Sequence, residues 1–452
     1  MIAFSNIYNL FINIVQGSDP ESLRARVVKG ATGSLSLQVI SVFLGLVSSL
    51  LLAKFIGAHG YGIYTYALAW INLLMVIAAF GTNRLLTREV AIFQQKRQWA
   101  KLYGLLRWSN LRATYFSITL AIILASISLW LYVFSYSEKT VALILASLLL
   151  PFMTLSSLRQ ATLQGLHHVV IGLIPENILR PILLIIFFIS CHFFLGDEFT
   201  GVVALVNNLI ACIITFIVGT YLLYIKLPNI GHSEDPQYLK SDWLRSAIPF
   251  LLLSGLQAAN SQVGVIILGS IVDASEVGIY SVAIKIAGLL SFFLLAVNTI
   301  LAPNIASLYS VGDLDRLQML TTKSSWSILL LTLPASLILI IFGEYILSIF
   351  GLDFIVGYDL LIILIIGQVF NAAMGSVGLL LTMTRHEKDA VVGVLIGFLI
   401  NLTLCSFLIP LYGALGAAIS TTLNTFIWNI IFGILVFKRI NIVPSIIGRR
   451  NI

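Results

Sequence analysis

The chain has 452 residues, 59% of them hydrophobic and only 10% charged, with a mean hydropathy of +1.01. Water-soluble chains carry about 25% charged residues, so 26 Lys and Arg with 19 Asp and Glu are too few to coat a soluble globule, and the apolar excess belongs against lipid. A net charge of +7 would suggest nucleic acid on a soluble protein; on a membrane protein it is first a topology signal, and no nucleic-acid partner is expected.

Residues 1–32 read as a cytoplasmic or interfacial segment. MIAFSNIYNLFINIVQ is mildly apolar but lacks the positive start and small-residue site of a cleaved leader. About twelve stretches then approach or exceed the roughly 20 residues a bilayer-crossing helix needs: 33–56, 61–82, 111–135, 140–163, 171–195, 199–226, 244–272, 277–303, 325–350, 355–384, 389–410 and 411–437. Turn or charge signals separate them, among them GAHG at 57–60, SEK at 137–139, GDE at 196–198, DASE at 273–276, RHEKD at 385–389 and LYG at 411–413. The stretches are too long for barrel strands and lack their alternation. Cys191, Cys212 and Cys405 fall in apolar runs without metal or disulfide spacing, so they read as small buried hydrophobes. Neither a P-loop nor a dinucleotide fingerprint is present; no cofactor, metal or built-in ATPase is expected.

The charges sort by side. If the N-terminus is cytoplasmic, that side collects Arg24, Arg26, Lys29, Arg84, Arg88, Lys96, Arg97, Lys101, Arg107, Arg159, Lys226, Lys240, Arg245, Arg316, Lys323, Arg385, Lys388, Lys438, Arg439, Arg449 and Arg450. The other side has Lys139 beside Glu138, Asp197, Glu198, Asp273, Glu276 and Asp353. The positive-inside rule then places both termini in the cytoplasm. The outer loops are too short to hold an external domain.

The chain repeats itself. Aligning Gly62-Ile63-Tyr64 with Gly278-Ile279-Tyr280 sets a shift of 216 residues. The same shift carries Gln38, Ser41, Gly45 and Ser48 onto Ser254, Gln257, Ser261 and Gly264, small or polar positions on one helix face in each copy. Two halves of six helices, an even number each, imply parallel repeats related by an axis along the membrane normal, with sites between them. The expected organisation is an N-lobe at 33–226, a cytoplasmic linker at 227–243, a C-lobe at 244–438 and a cytoplasmic tail at 439–452. The fold class is all-α integral membrane, two pseudo-symmetric six-helix lobes around a central cavity.

Removing loop charges leaves Lys54, Arg112, Arg180 and Lys285 as intramembrane cations and Glu176 as the clearest intramembrane acid. Such charges usually face a cavity or a partner. Arg112 opens its helix and reads as snorkelling to the interface. Glu176 lies four residues before Arg180, the spacing of a helical ion pair. Pro175 and Pro181 bracket the pair and disrupt backbone pairing, which on a second reading leaves Arg180 free to meet an anion. His167-His168 reads as a solvated turn.

Several segments carry a family resemblance. AKFIGAHGYGIYTYA with its echo at 269–283, LQGLHHVVIGLIPENILRPILL (163–184) and TRHEKDAVVGVLIGFLINLTLCSFLIPLYGALGAAIST (384–421), with Asn401, Pro410, Tyr412, Gly413, Gly416, Ala417 and Ala418, resemble the polysaccharide flippase family. That family belongs to the multidrug/oligosaccharidyl-lipid/polysaccharide exporter superfamily. The resemblance implies a bacterial inner-membrane flippase that moves undecaprenyl-pyrophosphate-linked sugar repeat units outward for O-antigen, capsule or exopolysaccharide synthesis. Polysaccharide polymerase and glycosyltransferases are the implied partners, with membrane lipid. On this reading Arg180, Lys285 and Lys54 meet the diphosphate in a cationic lumen. Gln38, Gln257, Asn260, Gln262, Tyr64, Tyr66, Trp70 and Tyr280 are candidates for the glycan, and Glu176 for ion coupling. The alternative is a cation-coupled multidrug antiporter of the same superfamily, for which buried carboxylates are expected; neither of the first two helices has one. A membrane enzyme is disfavoured by the absence of an acid/histidine constellation.

Overall fold

The computed structural model describes residues 23–135, 137–227 and 235–448. Most of the expected N-terminal segment, 228–234 of the linker and the end of the tail lie outside them. Every regular element among the described residues is helical.

The helix Leu23–Ala79 breaks at Gly57 into limbs 23–56 (α1) and 58–79 (α2), because Gly57 takes φ 66°, a left-handed conformation that costs other residues a Cβ clash. Thr82–Gln95 (α3) and Trp99–Ser135 (α4) follow. Glu138–Ser147 and Leu149–Gly165 bend by 42° into one element, α5. Val169–Leu195 (α6) carries a π-helical turn at Pro175–Leu179, and Gly201–Lys226 (α7) completes the first lobe. The second lobe holds Lys240–Ile271 (α8), Ala274–Gly288 (α9), Ser291–Val311 (α10), Leu314–Ile341 (α11) and Gly343–Phe350 (α12). Leu352–Met374 (α13) and Val377–Met383 (α14) come next. The last helix, Glu387–Ile440, breaks at Gly413 (φ 55°) into 387–412 (α15) and 414–440 (α16).

Nine described helices are long and apolar enough to cross a membrane, and the bent α5 makes a tenth. The breaks at Gly57 and Gly413 divide two of the nine, which brings the crossings to twelve. Their outer faces are apolar: Phe193 and Phe194 of α6 are 82% and 89% exposed, tolerable only against lipid.

The two lobes meet about a local twofold axis between α2 and α9. Ser281 Oγ donates to Thr65 Oγ1 at 3.2 Å, a contact between residues 216 apart. The same shift makes the glycine contacts reciprocal: Gly62 lies against the Ala274 carbonyl and Gly278 against the Ala58 carbonyl. The turns at Gly57, Glu138, Gly196, Asp273 and Gly413 define an acidic end; Arg84, Arg88, Lys240, Arg316 and Arg385 mark the opposite, basic end. Toward the acidic end one continuous apolar core takes residues from both lobes, from Leu52 and Ile63 to Tyr280 and Phe354. Toward the basic end the core divides. One cluster joins Leu85, Leu102 and Leu158 to Trp243 and Ala247 at the start of α8; a separate one, with Ile305, Leu380 and Phe432, stays within the second lobe.

Candidate functional site

The lobes are sealed toward the acidic end by close packing. A Cβ on Gly62 would fall 1.7 Å from the Ala274 carbonyl oxygen, and one on Gly278 would fall 2.1 Å from that of Ala58. No side chain fits there. Tyr66 Oη shares a hydrogen bond with Ser270 Oγ at 3.2 Å. Lys139 Nζ, from the first lobe, donates to the carbonyls of Gly269 (3.0 Å) and Val272 (2.6 Å) at the end of α8, satisfying carbonyls that a helix C-terminus leaves open. His59 lies 3.8 Å from Glu138 and 3.6 Å from Asp273. Asp273 caps α9, and hydrogen bonds from the Ser275 backbone and hydroxyl hold its carboxyl down at about 2.

Away from that seal, α1 separates from the α9–α10 break and leaves a cavity of about 540 Å³. Val42, Gly45 and Leu46 form one wall; Lys285, Gly288, Leu289, Ser291, Phe292, Leu294, Leu295 and Asn298 form the other. Nothing stands within 4 Å of where a Cβ on Gly45 or Gly288 would be, so both glycines border open space. Among the described residues the lining is mostly apolar, with Ser291 and Asn298 as neutral polar groups and Lys285 as the one cation. Lys285 Nζ donates to Ser49 Oγ, a neutral partner, and among the described residues no carboxylate lines the cavity.

A separate polar network lies inside the first lobe. Glu176 Oε2 accepts from Arg180 Nη1 at 3.2 Å, and its Oε1 lies 3.6 Å from Arg159 Nη2. Arg180 also donates to Asn208 Oδ1 through Nη2 (2.8 Å) and Nε (3.2 Å), and Asn208 Nδ2 donates to Tyr64 Oη at 3.0 Å. Arg159 donates to the Phe216 carbonyl at 2.6 Å and to Ser156 Oγ at 3.3 Å. Four helices, α2, α5, α6 and α7, are thereby stitched by one network of ion pairs and hydrogen bonds, those of Arg159 and Arg180 charge-assisted. The π-turn sets the register: the Arg180 N–H reaches back to the Pro175 carbonyl, a five-residue bond where the flanking prolines lack donors.

This geometry revises two expectations. Arg180 is not free: its donors are taken by Glu176 and Asn208. Arg159, expected at a cytoplasmic connection, is only 5% exposed and belongs to the buried network. The other candidates scatter. Lys285 alone of the three expected diphosphate cations lines the inter-lobe cavity, and Lys54 is exposed near the acidic end. Tyr64 and Tyr280 are buried within the first and second lobes; Tyr280 Oη shares a hydrogen bond with Thr421 Oγ1 at 2.8 Å. Tyr66 is in the seal. Asn260 joins an amide cluster, accepting at Oδ1 from Asn401 (2.9 Å) and Asn424 (3.2 Å). Gln262 donates to Ser261 Oγ, Gln257 is exposed, and the Gln38 Oε1 and Trp70 Nε1 atoms are buried without hydrogen-bond partners.

Sequence reasoning missed Asn208, Asn424, Lys139 and the role of Arg159. The repeat held one signal: Asn208 shifted by 216 falls on Asn424. A polar recess of about 460 Å³ toward the basic end, lined by Asn83, Arg84, Thr87, Arg88, Ser157, Gln160, Ala161 and Gln164, was also unexpected, because its residues read as loop charges and helix ends.

Compared with known proteins, residues 27–309 match the family described as polysaccharide biosynthesis protein. The chain belongs to that family. Residues 249–407 also match the MatE family. The family match takes in the whole first lobe, the α2–α9 seal and the Lys285 wall. A relative from Haloferax volcanii, described as a probable low-salt glycan biosynthesis flippase, Agl15, is 27% identical over 165 residues. That match spans 36% of this chain and 35% of the relative, about a third of each. Among solved structures, an inward-facing multidrug resistance MATE transporter of the MOP superfamily superposes with a TM-score of 0.70 at 13% identity, covering 91% of this chain and 98% of the other. The lipid II flippase MurJ superposes at 0.65 with 17% identity, covering 88% and 86%. At such identities the likeness establishes the shared fold, twelve helices in two lobes. This family member is accordingly a multi-pass membrane protein.

Proposed function

We propose that the protein is a flippase for a lipid-linked glycan, carrying undecaprenyl-pyrophosphate-linked repeat units from the cytoplasmic to the outer leaflet of the bacterial inner membrane for O-antigen, capsular or exopolysaccharide synthesis. The basic end is then cytoplasmic, with both termini there, and the lobes at 33–226 and 244–438 move about the linker at 227–243. Membership of the polysaccharide biosynthesis family and the glycan flippase among its relatives support this reading.

The observation that carries it is the inter-lobe cavity: apolar walls, an opening between α1 and α9–α10, and Lys285 as its one cation. A diphosphate cannot cross hydrocarbon alone, because burying an unpaired ion costs tens of kcal/mol by Born solvation. An ammonium at depth offsets much of that cost, while an apolar cleft open to the side lets a polyprenyl tail stay in lipid. The polar recess with Arg84, Gln160 and Gln164 gives glycan hydroxyls and phosphate a first landing at the cytoplasmic mouth. A cation-coupled drug antiporter, suggested by the MatE match, would be expected to place a carboxylate here, and none of the described lining residues is one.

Complementation of a flippase-deficient host provides the test. Lys285→Ala should reduce surface glycan at least about tenfold, as expected for losing a charge-assisted phosphate contact worth about 1.5 kcal/mol or more, while Lys285→Arg retains export. Wild-type export by correctly inserted Lys285→Ala would refute the cationic role. Drug efflux without glycan export would favour the antiporter.

A further inference from the structure

A second cationic feature lies away from the cavity. Where the inter-lobe linker meets α4, a groove of about 630 Å³ is lined by Arg107, Trp108, Leu111, Arg112, Tyr115, Phe116, Tyr238 and Lys240. Three of these are cations and none is an acid. Arg112 is half-buried and sits among three rings, 4.2 Å from the Phe80 centroid, 5.3 Å from Trp108 and 5.4 Å from Phe116. Stacking on ring faces leaves the edge of a guanidinium, with its N–H donors, for a planar or tetrahedral oxyanion. Phe80 is held over it at φ 51°, a costly conformation for an aromatic residue. Lys240 Nζ lies 5.4 Å from the Tyr238 ring.

The groove is also a joint between the lobes. Gln237 N donates to the Ala100 carbonyl at 3.0 Å, its own carbonyl packs on Gly104, where a Cβ would fall 1.9 Å away, and Trp243 of α8 packs on Trp108 of α4 at 5.5 Å. Arg107 and Arg112 belong to the first lobe, Tyr238 to the linker and Lys240 to the start of α8. Their height suits a headgroup: the basic end of a membrane helix with Trp and Tyr alongside is the interfacial belt, and Leu111, Tyr115 and Phe116 continue the groove as exposed apolar surface along α4.

We propose that this groove binds the phosphate of an anionic phospholipid, whose acyl chains lie along α4 and whose headgroup clasps the inter-lobe linker to the first lobe. Lipid composition thereby regulates the freedom of the linker. The site is distinct from the Lys285 cavity and does not depend on which substrate that cavity carries.

The full-length protein in detergent is titrated with phosphatidylglycerol and, separately, phosphatidylcholine, followed by native mass spectrometry and by amide exchange over 235–243. Phosphatidylglycerol should bind and slow exchange at Gln237, and phosphatidylcholine should do neither. The variant Arg107→Gln/Arg112→Gln/Lys240→Gln should need at least about tenfold more phosphatidylglycerol, because each interfacial cation adds attraction for an anionic headgroup. Arg316→Gln, a cation at the same end paired with Asp313, should bind like wild type. Retained affinity in the triple variant, or equal binding of phosphatidylcholine, would overturn the proposal. So would selective displacement of phosphatidylglycerol by undecaprenyl diphosphate in the wild type but not the variant, which would assign the groove to the diphosphate lipid. Unchanged melting of the lipid-free variant is the folding control.

Discussion

Glu176 is one carboxylate between two guanidiniums, and its environment sets what a substitution does. Arg159 and Arg180 are 5% and 14% exposed at the side chain, so Glu176→Gln would leave two buried cations without a counter-ion. Breaking a buried pair in this way costs about 3–5 kcal/mol. A clear fall in melting temperature of the purified variant is expected, beyond that of Lys285→Ala, whose side chain faces a cavity; similar melting of the two would contradict the network's structural role. The spacing of Glu176 and Arg180 was readable because a helix brings residues four apart together. Arg159 and Asn208 were not, since they arrive from other helices and nothing local in the chain records that meeting. Asp273 adds a pH prediction at the acidic end. Its folded carboxyl lies near 2, below the usual carboxylate value of about 3.9. Its cap on α9 is therefore fully stabilising above the usual value and is lost as pH falls through about 2. Amide exchange at Ser275 should stay slow at pH 4 and quicken toward pH 2, after allowance for intrinsic rates.

The seam between α2 and α9 is the element whose opening the transport reading requires. Thr65 and Ser281 face each other there with their hydroxyls 3.2 Å apart, so Thr65→Cys/Ser281→Cys should cross-link under mild oxidation. The cross-link should block export and reduction should restore it; undiminished export by fully cross-linked protein would mean that the seam does not open. Gly62→Val tests the same seam from the other direction. Its side chain would enter space held by the Ala274 carbonyl, so cross-linking yield and export should both fall. Most span limits were visible as turns, with GAHG and LYG placing the breaks at Gly57 and Gly413. The π-turn and the division of the eighth span into α9 and α10 were not, because both are adjustments of a continuous apolar helix to its neighbours.

At the scale of the whole molecule, one core joins the lobes toward the acidic end, and toward the basic end the core divides into a cluster that ties the first lobe to the start of α8 and another that stays within the second lobe. This arrangement predicts one-sided access. Gly45→Cys and Gly288→Cys, which border open space, should react with a membrane-impermeant maleimide added from the basic side and stay protected from the acidic side. Equal labelling from both sides would rule out the sealed arrangement. Membership of the membrane class, about twelve crossings, the sidedness of charge and the twofold repeat were determined by the sequence alone, because hydropathy, charge bias and self-similarity are properties of consecutive residues. Only the tertiary structure decided which intramembrane charges are neutralised and which faces a cavity. Arg180 and Lys285 looked alike as cations in apolar helices, and they differ because a buried charge takes its character from partners that the fold brings from distant parts of the chain.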